Sequence, residues 1–266
     1  MLNLFKAELY SIMAWYRSNR VMLVLSFLWP YATVLVLLAL GSSYGSLEEW
    51  RRSMGVEYPL IYLFAASAVA FASAGIIESA SGVALWHRWV GTLPYVYLAP
   101  AGFPRYLLAS GVANSLVMAL IDFTAVAPAV VLLGGLEGGV RLLLVLLVMV
   151  IGSLPLVGIA ILASLASLMA REEGNIIYFV NPLLLLASGI FYPLEVLPRL
   201  LRLASEVLPV TYVVEAARIA STYTTGLGRA VLGVAYTLAV MTVIYNMVSL
   251  YLIGSGERGV RRRGVI

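Results

Sequence analysis

With 266 residues, 62% apolar and 11% charged, and a mean hydropathy of +0.98, the chain consists of long apolar runs parted by short charged patches, which excludes a soluble globular protein and a soluble catalytic domain. A formal charge of +4 and a pI near 9.3 do not point to nucleic acid, because the basic residues stand at the ends of apolar runs and in the tail, where positive-inside topology puts them. The absence of cysteine excludes disulfides, a thiol nucleophile and a cysteine metal site, and a single histidine, His87, excludes a two-histidine site within the chain.

A membrane span takes roughly 20 apolar residues, and the pattern predicts an all-α polytopic protein with six spans, a single domain over residues 1–266. Residues 1–20 form an amphipathic helix with Leu4, Phe5, Leu9, Ile12, Met13 and Tyr16 near one face. It is too polar to span and lacks a signal-peptide cleavage site, so it is expected flat on the cytoplasmic interface. The first span covers 21–40 and contains Pro30; residues 41–59 read as a polar outer loop. The second span, 60–77, is dense in alanine, serine and glycine, which suits either a subunit interface or close packing within the chain.

Residues 78–105 break the apolar pattern and read as a cytoplasmic loop on the strength of Arg88 and Arg105, with Trp86-His87-Arg88-Trp89, Gly91-Thr92-Leu93-Pro94 and Ala99-Pro100 inside it. His87 is expected to be exposed or interfacial. The third span, 106–133, holds Asp122, about 16 residues or roughly 24 Å from the cytoplasmic end. An intramembrane carboxylate costs at least about 2.5 kcal/mol at mid-depth, so Asp122 must face protein or a wet cavity. It is expected to be a proton relay or a contact for a cationic substrate, or else a structural hydrogen-bond partner of Thr124, Asn114 or another polar side chain, or to sit at the interface. A Gly-rich outer turn at 134–141, a fourth span at 142–169 with Pro155, and an inner Arg171-Glu172-Glu173 cluster follow.

The stretch from Asn181 to Arg218 organises the rest. It begins apolar enough for lipid, yet Gly189, Pro193, Pro198 and Pro209 interrupt it, with Glu195, Arg199, Arg202 and Glu206 between them. Proline removes a backbone donor, and irregular backbone at membrane depth survives only against protein or a water-filled cavity. The fifth span, 176–192, is therefore expected to end near Tyr192 and to be followed by short helices at 194–203 and 210–220, so that 193–220 is an extracytoplasmic re-entrant segment. A sixth span at 230–253 leads to a basic cytoplasmic tail, 254–266, with Arg258, Arg261, Arg262 and Arg263. With both termini inside, ten basic residues face the cytoplasm and seven the outside.

The ordered series Ser188-Gly189-Ile190-Phe191-Tyr192-Pro193-Leu194, Leu197-Pro198, Leu208-Pro209-Val210-Thr211-Tyr212 and Glu215-Ala216-Ala217-Arg218 resembles the signature of ABC-2 type permeases, the membrane subunits of ATP-driven exporters. The resemblance implies a plasma-membrane exporter subunit that pairs with a second permease and with a separate ATP-binding subunit, which carries ATP and Mg; the chain itself binds no cofactor and is not an enzyme. It implies a pathway role for Asn181, Gly189, Tyr192, Pro193, Pro198, Pro209, Tyr212 and Arg218. It also implies that residues 86–100 carry a coupling helix docking into the ATPase. Gly91, Thr92, Leu93, Leu98 and Pro100 fit the family pattern, Trp86 and Arg88 flank it, and Pro94 stands where the family has glutamate. Charges at Gly91 and Leu93 are expected to release the ATPase from a folded chain. No Gly-Lys-Ser/Thr phosphate loop occurs, so the energy source must lie elsewhere. The alternative is a self-contained ion-coupled transporter or membrane-embedded enzyme that uses Asp122.

Overall fold

The structure, a computed structural model, describes residues 2–44, 47–169, 177–190, 192–222 and 227–262. Its elements are α1 (Leu2–Ser18), α2 (Arg20–Tyr44), α3 (Leu47–Met54), α4 (Pro59–Trp89), α5 (Leu93–Leu98), α6 (Phe103–Met169), α7 (Ile177–Ala187), a 3₁₀ turn (Leu194–Val196), α8 (Arg199–Val207), α9 (Pro209–Thr222) and α10 (Leu227–Arg262). Among the described residues there is no strand.

Four helical stretches are long and apolar enough to cross a membrane: Arg20–Ala39, Pro59–Trp89, Phe103–Ser167 and Gly228–Ile253. The third is too long for one crossing and breaks at Gly135, whose φ is 61°. A Cβ on Gly138 would stand 2.8 Å from the Val130 carbonyl oxygen, and one on Gly139 3.2 Å from Val131. Residues on either side of Gly135 thus lie against each other, and α6 is a helical hairpin of two arms. The turn expected over residues 134–141 is confined to Gly135, and the second arm starts immediately after it.

Other boundaries differ from expectation for identifiable reasons. The outer loop carries α3, which packs inward through Met54 while Glu48 pairs with Arg51 at 2.6 Å. Residues 78–89 are not a loop but the continuation of α4, which at 31 residues is about 46 Å long and overshoots a hydrocarbon core of about 30 Å. The drop in hydropathy after Ile77 marks where the helix leaves the apolar region, not where helical backbone ends. Likewise α10 runs on through Arg262, past the expected start of the tail. The Arg171-Glu172-Glu173 cluster, Phe191 and Arg263 lie outside the described residues.

The core is α4, the α6 hairpin and α9. Ala66, Ala68, Val69 and Ala72 of α4 and Val210, Val213, Ala216 and Ala217 of α9 are wholly buried within the single chain. The small-residue face of the second span therefore serves internal packing, bringing backbones close where lipid supplies no hydrophobic drive between helices. By contrast α2 and α10 turn Val24, Leu28, Leu35, Tyr236, Val243 and Met247 outward. Helix α1 does not stand alone beneath the bundle. The Tyr16 hydroxyl meets Met118 Sδ at 3.7 Å, so α1 leans along the first arm of α6.

Arg141 fastens the hairpin to α9. It is 5% exposed, its Nη1 donates to the Ala220 carbonyl at 2.7 Å, its Nη2 to Glu137, and its guanidinium sits 5.7 Å from the Tyr58 ring centre. Ala220 lies in the last turn of α9, where carbonyls lack intrahelical partners and favour a cation. Replacing Arg141 with Met is expected to cost about 1.5–3 kcal/mol, read as a lowered thermal unfolding midpoint in detergent. Glu137→Gln should cost far less, because Glu137 is 73% exposed and such pairs contribute little. Equal losses from both variants would show that the Ala220 bond is not the anchor.

Candidate functional site

The C-terminal end of α4 closes in a Schellman turn. The Thr92 N–H donates to the His87 carbonyl at 2.8 Å, the Gly91 N–H donates to the Arg88 carbonyl at 3.2 Å, and Gly91 has φ +74°. That left-handed position explains the glycine. In place of the apolar contact that commonly accompanies this motif, the side chains share a hydrogen bond: Thr92 Oγ1 and His87 Nδ1 are 2.7 Å apart. His87 Nε2 is in turn 2.9 Å from the Tyr106 hydroxyl, with the two rings edge to face at 5.4 Å. His87 is thus half-buried at the end of α4 with both ring nitrogens engaged, and it ties the turn to α6.

Helix α5 starts from this turn. Thr92 is its N-cap by backbone geometry, and Pro94 falls in the first turn, where its missing N–H costs nothing. Leu93 is 1% exposed, and Tyr97 stacks on buried Phe103 at 4.3 Å. Those two contacts seat α5 against the start of α6. On α5 Tyr95 and Leu98 are 73% and 82% exposed, and at the end of α4 Trp86 and Trp89 are 62% and 60% exposed. The residues singled out in sequence therefore divide. Gly91 shapes the turn, Thr92 joins the hydrogen-bonded series, Leu93 is an internal anchor, Arg88 is half-buried, and Trp86, Leu98 and Pro100 face outward. Sequence reasoning missed Tyr95, Trp89, Tyr106 and Glu8; only the i, i+3 spacing of Tyr95 and Leu98 could have shown that they share a face.

The second predicted group lies along α7, the 3₁₀ turn, α8 and α9. Asn181 lies inside α7, its Nδ2 donating to the Ala74 carbonyl at 3.2 Å while its Oδ1 is buried without a partner. Helix α7 stops at Ala187, five residues before the expected end, because Gly189 takes φ +68°. The helix expected over 194–203 is two pieces. Leu197 before Pro198 and Leu208 before Pro209 are extended, with ψ of 142° and 123°, as residues preceding proline are. Pro193 and Pro198 stand as N-caps of the 3₁₀ turn and α8, and Pro209 opens α9. The Tyr192 hydroxyl is buried without a partner, the Tyr212 hydroxyl donates to the Glu206 carbonyl at 2.9 Å, and Arg218 pairs with Glu215 at 3.0 Å. Arg202 caps the 3₁₀ carbonyls of Leu194 and Glu195, which packs the excursion onto itself.

Asp122 is 6% exposed and makes no hydrogen bond or ion pair among the described residues. The expected partners are elsewhere: Asn114 Nδ2 donates to the Ser110 carbonyl at 2.9 Å, and Thr124 is exposed. No group of three His, Cys, Asp or Glu that could hold a metal occurs among the described residues.

The family model described as ABC-2 type transporter matches residues 10–222, from the middle of α1 to the end of α9. No curated protein matches the chain in sequence.

Proposed function

The chain belongs to the ABC-2 type transporter family, a multi-pass membrane permease component, and from that premise we propose that it is the permease subunit of an ATP-driven exporter whose ATPase is a separate chain. In this reading the spans are α2, α4, the two arms of α6, the region of α7 and α10. The 11 residues of α7 cover only about 16 Å, so the chain from 188 to 208 returns at the outer side as a re-entrant excursion. Both termini lie in the cytoplasm, and two permease subunits enclose the path in the plasma membrane.

One observation carries the reading: a turn whose backbone is fixed from within by Leu93, Thr92 and His87 presents an apolar face of Trp86, Trp89, Tyr95 and Leu98 outward at the end of α4. An exposed apolar patch on a rigid support is a partner site. ATP and Mg belong to the partner. When the ATPase moves, force on α5 passes through Thr92–His87–Tyr106 into α4 and α6, the two helices of the core. The partner biases the inward and outward states only as far as its contacts with α5 differ between them.

Purification of the tagged chain from its native membrane is expected to bring down an ATP-binding subunit at one per permease, identified by mass spectrometry. Tyr95→Glu with Leu98→Glu should release it while the permease keeps its elution profile. A lone chain that stays active after stringent washing sinks this reading and favours the ion-coupled alternative at unpartnered Asp122, for which Asp122→Asn abolishes activity.

A further inference from the structure

Between α1, the last third of α4 and the first arm of α6 lies a cleft of about 680 Å³, inside the range of about 300–1,000 Å³ typical of small-molecule sites. Its lining has a one-sided chemistry. Glu8 and Glu78 face it, no lysine or arginine does, and neither carboxylate forms an ion pair among the described residues. Trp15, Trp86 and Trp89 stand around it, each more than half exposed, so their ring faces are open to a ligand. Aromatic faces attract cations, and the attraction strengthens as water is excluded.

The cleft continues inward. Glu78 lies 11 residues, about 16 Å, along α4 from Trp89, so the cleft reaches from the helix end toward the membrane. Met118 and Tyr16 close it there. Asp122, buried and unpartnered among the described residues, follows Met118 by one turn on the same face of α6. The carboxylates of Glu8 and Glu78, at the mouth and the wall, repel anions. Among the described residues no lysine or arginine stands on the lining to receive a phosphate, so it also disfavours a phospholipid headgroup.

We propose that this cleft binds an organic cation bearing apolar or aromatic groups, with Glu8 and Glu78 as counter-charges and Trp15, Trp86 and Trp89 as its walls. Trp86 and Trp89 belong also to the face proposed for the ATPase, but binding is read on the chain without any partner, so it is tested separately from the docking role of Tyr95 and Leu98.

The test uses the whole chain in phosphatidylcholine nanodiscs without any partner, and two ions alike in size and shape but opposite in charge, tetraphenylphosphonium and tetraphenylborate. Three of the five tryptophans line the cleft, so occupancy is read as saturable tryptophan quenching. The phosphonium ion should saturate, and the borate should give no signal beyond empty discs. Glu8→Gln with Glu78→Gln should raise the phosphonium Kd roughly tenfold, the size expected for two part-exposed charge contacts. Saturation by borate, or an unchanged Kd in the double variant, overturns the proposal. Should the double variant fail to fold, the comparison of the two ions on the natural chain still decides. Phosphonium binding seen in maltoside micelles but lost in the discs would give the cleft to the choline headgroup, which also overturns it.

Discussion

Leu93→Glu is expected to abolish the folded chain, not merely to detach a partner. Leu93 is 1% exposed beneath α5, beside the Tyr97–Phe103 stack. Removing its side chain from that seat forfeits about 1.5–3 kcal/mol of apolar burial. Placing a carboxylate there with no cation adds several kcal/mol more, or forces α5 off the bundle. Size-exclusion chromatography of the detergent-solubilised chain should show loss of the monodisperse peak. Leu93→Met, which keeps the volume, should stay within about 1.5 kcal/mol of the natural chain, and Leu98→Glu should leave the peak intact because Leu98 is 82% exposed. A folded Leu93→Glu chain that has simply lost its ATPase would restore Leu93 as a docking residue. The contrast matters because both leucines belong to one short motif and only burial separates their roles.

That pair also shows where sequence reasoning stops. A period of 3.6 residues needs more than one turn to declare which face is apolar, and the six residues of α5 are nearly all apolar. Longer signals were legible. The runs of α2, α4 and α10 identify membrane-crossing helices from hydropathy alone, and each proline after Tyr192 marks a break, since proline constrains both itself and the residue before it. Charge was the misleading signal. Glu78, His87 and Arg88 suggest a loop, but polar residues form helix as readily as apolar ones once the helix leaves lipid, and α4 passes through them unbroken. The hydrogen bonds of His87 were out of reach for another reason. Thr92 is five residues away and Tyr106 is 19, and only the fold of two long helices around α5 brings them together.

Gly189→Ala is expected to be among the most damaging single-methyl changes in the chain, and a second substitution separates its two causes. The residue sits at φ +68°, which costs an L-amino acid about 1–2 kcal/mol. A Cβ built there would also lie 2.5 Å from Leu194 Cδ2 and 3.0 Å from its Cγ, so Leu194 must be displaced, and overpacking of this kind costs about 1–3 kcal/mol. The site has little room to yield. Ile190 next to it is wholly buried with its carbonyl accepting from the Tyr62 hydroxyl at 2.8 Å, and the Leu194 carbonyl accepts from Arg202. Thermal unfolding midpoints of Gly189→Ala, Leu194→Ala and the double variant form a cycle. Leu194→Ala should recover the overpacking part and leave the backbone part, so the double variant is more stable than the sum of the single losses requires. Strict additivity would mean that Leu194 does not confine this turn and that φ alone demands glycine. The expected coupling would show that α7 ends where it does because the turn after it is filled from the 3₁₀ side, which holds the whole excursion from 188 to 208 against α4.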